Sequence, residues 1–140
     1  MATMNRLAVL YAVVSLTVLV VPSVVAPAAA SPYTGGTDGW TIKGQPTVGP
    51  FNGNPTAKVN YQNNLNVTIS LAIVYLVLHN SMGQTTDVKL ATVINTASNA
   101  NSTAFIVLFS VPSGTYSATI FATLPSGPAM SVPTSASITL

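Results

Sequence analysis

Leu71 to Leu78 reads LAIVYLVL, and Ala104 to Val111 reads AFIVLFSV. Both are strand-sized runs bounded by turn formers. Asn80-Ser-Met-Gly83 follows the first, and Pro112-Ser-Gly114 follows the second. Neither run alternates, so each is apolar on both faces. A strand in a two-layer sandwich has one core face, and the second apolar face of each run then needs cover from elsewhere.

Around these runs the chain alternates with period two. Ala57, Val59 and Tyr61 interleave with Lys58, Asn60 and Gln62, and Leu65, Val67 and Ile69 with Asn66, Thr68 and Ser70. A strand is expected over Thr85 to Ile94, followed by a polar loop from Asn95 to Thr103. Tyr116 to Leu124 and Val132 to Leu140 alternate again, with the turn Pro125-Ser-Gly-Pro128 between them. The spacing predicts about seven strands in an all-β, antiparallel β-sandwich over 57–140, with Val59, Ile69, Val107, Tyr116, Ile120 and Ile138 inside. Residues 31–56 are crowded with Gly and Pro and read as an arm or linker, with at most one short strand near Trp40 to Lys43. VPSGTYSATIFAT, with a turn glycine ahead of Tyr116, resembles the late hairpin of immunoglobulin-like modules. That resemblance implies an immunoglobulin-like sandwich with Tyr116 as a tyrosine-corner residue, although the Cys pair and central Trp of antibody domains are missing. A jelly roll is the alternative arrangement.

Residues 1–30 read as a signal peptide or an N-terminal hydrophobic anchor helix. A basic start, the apolar run Leu7 to Val21, and small residues at Ala28 and Ala30 fit export with cleavage before Ser31. Leu7 to Ala26 is also long enough to span a bilayer, which would tie the protein to the membrane if the segment stays uncleaved. Both readings place the remainder outside the cell or at its surface.

Charged residues are 4% of the chain, against roughly 25% in an average protein. Glu is absent, and Asp38 and Asp87 are the only acidic side chains, so acid has little to titrate. Lys43, Lys58 and Lys89 are dispersed and make no footprint for nucleic acid. With no Cys there is neither a disulfide nor a thiolate metal site. His79 is the sole histidine, and no GxSxG, GxGxxG or Walker-type loop occurs. The sequence therefore offers no catalytic, cofactor-binding or metal-binding residues, and an enzyme is not expected. Lys58 and Lys89 lie on strands in an Asn-rich domain, which leaves open a Lys–Asn isopeptide crosslink with Asp87 as its buried carboxylate.

Asn66-Val-Thr and Asn101-Ser-Thr match the acceptor triplet for N-linked glycans. An apolar N-terminal segment, a Gly-rich connection and a charge-poor Ser/Thr/Asn β-domain with such triplets together resemble the surface-filament subunits of archaea. The likeness is to type IV pilins, or to thread-type proteins in which an N-terminal strand is donated to the next subunit. It implies a non-enzymatic, adhesive or pilus-like subunit that forms a homo-oligomer or filament. Tyr33, Trp40 and Ile42 would then be donated side chains, and Leu76, Leu78, Ile106 and Leu108 the second faces awaiting cover. Two other settings remain open: a monomeric surface binding domain, and a virion or tail protein of an archaeal virus.

Overall fold

The structure is a computed structural model, and it describes residues 33–140. The expected leader or anchor over 1–30 lies outside the described residues. Seven strands follow in chain order: β1 (Trp40–Phe51), β2 (Asn54–Asn63), β3 (Ile69–His79), β4 (Thr85–Thr96), β5 (Asn101–Val107), β6 (Thr115–Thr123) and β7 (Thr134–Thr139). They form two antiparallel sheets, β1-β2-β5 and β4-β3-β6-β7, stacked as a two-layer sandwich over one apolar core. Among the described residues there is no helix, and so none that could cross a membrane.

The segment 31–56 is not a linker. It supplies the whole of β1 and the start of β2, and the described residues make one compact unit. Gly and Pro are accommodated because β1 is an edge strand. Its register shifts between Lys43 and Thr47, where Gly44 takes a positive φ of 68° and Pro46 needs no ladder partner. Asn52 and Gly53, at φ 49° and 79°, form the two-residue turn that Phe51 and Asn54 close, the left-handed pair a tight hairpin demands.

Register decides which face of each doubly apolar run is inside. Ala57 sits opposite Ile106 and Val59 opposite Ala104, and all four are buried, so β5 turns Ala104, Ile106 and then Leu108 inward. Val107, expected inside, is on the other face and only half-buried. On β3 the inward set is Ala72, Val74, Leu76 and Leu78, each opposite or beside buried β6 residues such as Ile120 and Ala122. Val59, Ile69, Ile120 and Ile138 are in the core as expected, whereas Tyr116 is half-buried at its rim.

Side chains fasten the ends of the sandwich. Trp40 stacks on Tyr61 with ring centroids 4.3 Å apart, and the Tyr61 hydroxyl meets Thr96 Oγ1 at 3.1 Å. Buried Asn63 donates from Nδ2 to the carbonyls of Val67, Thr96 and Ala97, while its Oδ1 accepts from the Leu65 amide. One side chain thus ties the β2–β3 connection to the β4–β5 turn. At the opposite end the Tyr116 hydroxyl donates to the Pro112 carbonyl at 2.8 Å, pinning the corner that leads into β6.

Candidate functional site: two unlike outer faces

The titratable groups come first, because catalysis or metal binding would need them together. Among the described residues no three His, Asp, Glu or Cys side chains converge. His79, half-buried at the end of β3, faces hydroxyls and not acids: Nε2 is 3.1 Å from Thr119 Oγ1 and Nδ1 is 3.3 Å from Thr85 Oγ1. Asp87 accepts from Lys89 Nζ at 2.9 Å and from the Val88 amide at 2.8 Å. The Lys89 hydrogen bond is the main reason its carboxyl is held below the usual carboxylate range. That ion pair occupies the carboxylate an isopeptide bond would need, and Lys58 instead lies over the Phe105 ring at 5.9 Å. Tyr33 hydrogen-bonds through its hydroxyl to the Gly36 carbonyl, and burial, then the nearby Asp38 charge, pushes its pKa up. It packs so closely on Gly39 that a Cβ there would collide with the phenol ring, which explains the glycine.

The residues expected to meet a neighbouring subunit are placed mostly elsewhere. Leu76, Leu78, Ile106 and Leu108 are covered by their own chain, with 1% exposure or less, and Trp40 and Ile42 belong to the same core. The physical reason is parity: each apolar run offers its even-numbered residues to the sandwich interior. Only Tyr33 of that set keeps substantial exposure, at the edge of the core.

The uncovered apolar surface is therefore the odd face of β3 and what lies beside it. Leu71, Ile73, Tyr75 and Val77 point outward from β3, opposite Ile94, Thr92, Leu90 and Val88 of β4. On the other side Ile73, Tyr75 and Val77 meet Thr123, Phe121 and Thr119 of β6, and Tyr75 stacks on Phe121 at 5.1 Å. Exposure reaches 67% at Ile94, 51% at Leu90, 50% at Val88 and 39% at Leu71. No Asp, Glu, Lys or Arg belongs to this face; Asp87 and Lys89 share the core-facing parity of Leu78 and Leu76. The outer face of the three-stranded sheet is more polar. Thr41, Lys43, Thr47, Lys58, Asn60, Asn101 and Thr103 occupy its parity, and its apolar members gather at one corner, where Phe51 and Phe105 pack with ring centroids 5.1 Å apart beside Val107.

Both glycan-acceptor asparagines are exposed. Asn66 lies in the bend joining β2 to β3, where a strand was expected, and Asn101 is the first residue of β5, where a loop was expected. Thr103 of the second triplet donates its hydroxyl to Asn60 Oδ1 at 2.7 Å. Asn101 is thus on the polar face, away from the apolar one. No protein-family model matches the chain, and no curated protein matches it either.

Proposed function

We propose that the protein is a non-enzymatic structural subunit of an extracellular or cell-surface assembly, its β-domain an immunoglobulin-like sandwich. The observation that carries this reading is the contrast between the two outer faces: one mostly polar and bearing two lysines, the other uncharged, with a continuous apolar stripe over β3 and β4. Monomeric soluble proteins rarely leave a contiguous apolar sheet face open, because water contact with it is costly. A subunit that buries this face and turns the other to solvent resolves the asymmetry.

The immunoglobulin-like assignment draws on strand order and on one hydrogen bond. β1, β2 and β5 share one sheet and β3, β6 and β7 the other, the division expected for strands A, B, E and C, F, G, with β4 added beside β3. Tyr116, at the start of β6, reaches back to the Pro112 carbonyl as a tyrosine corner does. The setting outside the cell is taken from the export-type segment over 1–30, and the filament setting from the resemblance to archaeal surface-filament subunits. Glycans on exposed Asn66 and Asn101 are part of the proposal.

Immunogold electron microscopy of native surface material tests it. The expected result is label along filaments or arrays; label only on dispersed single molecules rejects the subunit reading.

A further inference from the structure

We propose that the uncharged outer face of the β4-β3-β6-β7 sheet, apolar over β4 and β3 and lined by Ser and Thr over most of β6 and β7, binds a second copy of this chain, face to face, to form a two-fold dimer. The inference rests on the subunit reading above and names the surface that reading needs. Three features of the molecule select this partner.

The first is size. The strands β4, β3, β6 and β7 have 12, 11, 9 and 6 residues, and at about 3.4 Å per residue and about 4.8 Å between strands the face covers about 620 Å² in plan. Two copies then bury on the order of 1,200 Å², above the roughly 1,000 Å² that marks a specific interface. The second is charge. The face carries no Asp, Glu, Lys or Arg, while Lys43 and Lys58 sit on the far side of the sandwich, so stacking two copies brings no like charges together. The third is the edge. β4 is an open edge strand, yet it directs Asp87 and Lys89 to its core-facing side, a pattern that deters edge-to-edge strand pairing. The other edge, β7, is six residues long, and its Ser137 amide already donates to Gln45 Oε1. Association through this sheet is left with its face, and the surface that matches a broad uncharged sheet face is another such sheet, packed about 10 Å away.

The chain has no cysteine, so one introduced thiol reports on one position. Thr92 is exposed between Leu90 and Ile94 at the middle of the β4 part of the face; Thr47 is exposed on the opposite outer face. The full chain carrying Thr92→Cys is treated with a bismaleimide about 10 Å long, matched to the spacing of packed sheets, and compared with Thr47→Cys. Expected is a crosslinked dimer from Thr92→Cys at least ten-fold more abundant than from Thr47→Cys, lost when Leu90→Lys is added. Equal crosslinking at the two positions, or none at Thr92→Cys, overturns the inference. So does failure of Thr92→Cys to react with a simple maleimide in the Leu90→Lys background, where no dimer shields it, which would mean its own chain covers the face. Filaments in native material without this crosslink would leave the subunit reading standing and remove the face-to-face dimer. The crosslink without native assemblies would do the reverse.

Discussion

Leu76→Ala and Leu90→Ala form a matched pair that separates the core of the sandwich from its apolar outer face. Both residues lie on paired strands, and both replacements remove three carbons. Leu76 has 0% exposure and Leu90 51%. Losing three buried carbons at about 0.8 kcal/mol each costs about 2.4 kcal/mol in transfer free energy. The cavity left beside Ile120 raises the total to about 3 to 4 kcal/mol. At Leu90, already half in water and with room for neighbours to close in, the same replacement costs under about 1 kcal/mol. Urea titration followed by fluorescence of Trp40, the single tryptophan, reports both, because that ring is buried against Tyr61 and is exposed on unfolding. With a slope near 2 kcal/mol per molar, Leu76→Ala lowers the midpoint by about 1.5 to 2 M without changing the slope. If the proposed dimer forms, Leu90→Ala has a larger effect at high protein concentration than at low, since dissociation is linked to unfolding. A Leu76→Ala cost below about 1 kcal/mol, or equal costs at the two sites in dilute solution, would refute the assignment of the even face of β3 to the core.

Asn63→Ala removes the donor for three carbonyls and the acceptor for the Leu65 amide. It should cost about 2 to 4 kcal/mol in urea titration and raise amide exchange around Leu65 and Asn99, at net bond strengths of about 1 kcal/mol each. Tyr116→Phe deletes only the hydroxyl that holds the Pro112 carbonyl and should cost about 1 kcal/mol, measured the same way. For pH, the folded-state pKa of Asp87 is depressed, so its contribution is present above the unfolded value near 3.9 and fades as pH falls through the folded one. The pair is partly exposed and contributes under about 1 kcal/mol, so the melting temperature should stay level from pH 7 to about 4.5 and drop by less than about 6 °C below that. Asp87→Asn should remove even that acid dependence. A collapse near pH 4 in a melting series would show a carboxylate with a larger structural role.

The sequence carried the strand plan well wherever alternation was clean. β2, β6 and β7 read directly from residues such as Val59, Ile120 and Ile138, because a one-residue slip would turn each out of the core. Alternation is silent where both parities are apolar. AFIVLFSV gives no reason to prefer Ile106 over Val107, and only the pairing of Ala57 with Ile106 decides. The same ambiguity made Leu76 and Leu78 look like surface awaiting a partner, when the open face is Leu71, Ile73, Tyr75 and Val77. β1 was hidden by Gly44, Pro46, Gly49 and Pro50, residues that weaken a central strand but are tolerated at an edge with a bulge. Asn52-Gly53 carried the missing signal, since that dipeptide marks a two-residue hairpin and hence strands on both sides. The Asn63 hub had no sequence signature, for its partners Thr96 and Ala97 are brought to it by the fold.

Sedimentation velocity on the full chain between about 1 and 100 μM tests the central claim most directly, with Leu90→Lys and Phe109→Lys alongside. Phe109 is as exposed as Leu90 but follows β5 on the other sheet. The account predicts a shift with concentration from the 14.3 kDa chain to twice that mass, abolished by Leu90→Lys and retained in Phe109→Lys. A single 14.3 kDa species throughout, or association that Leu90→Lys leaves intact, would contradict it.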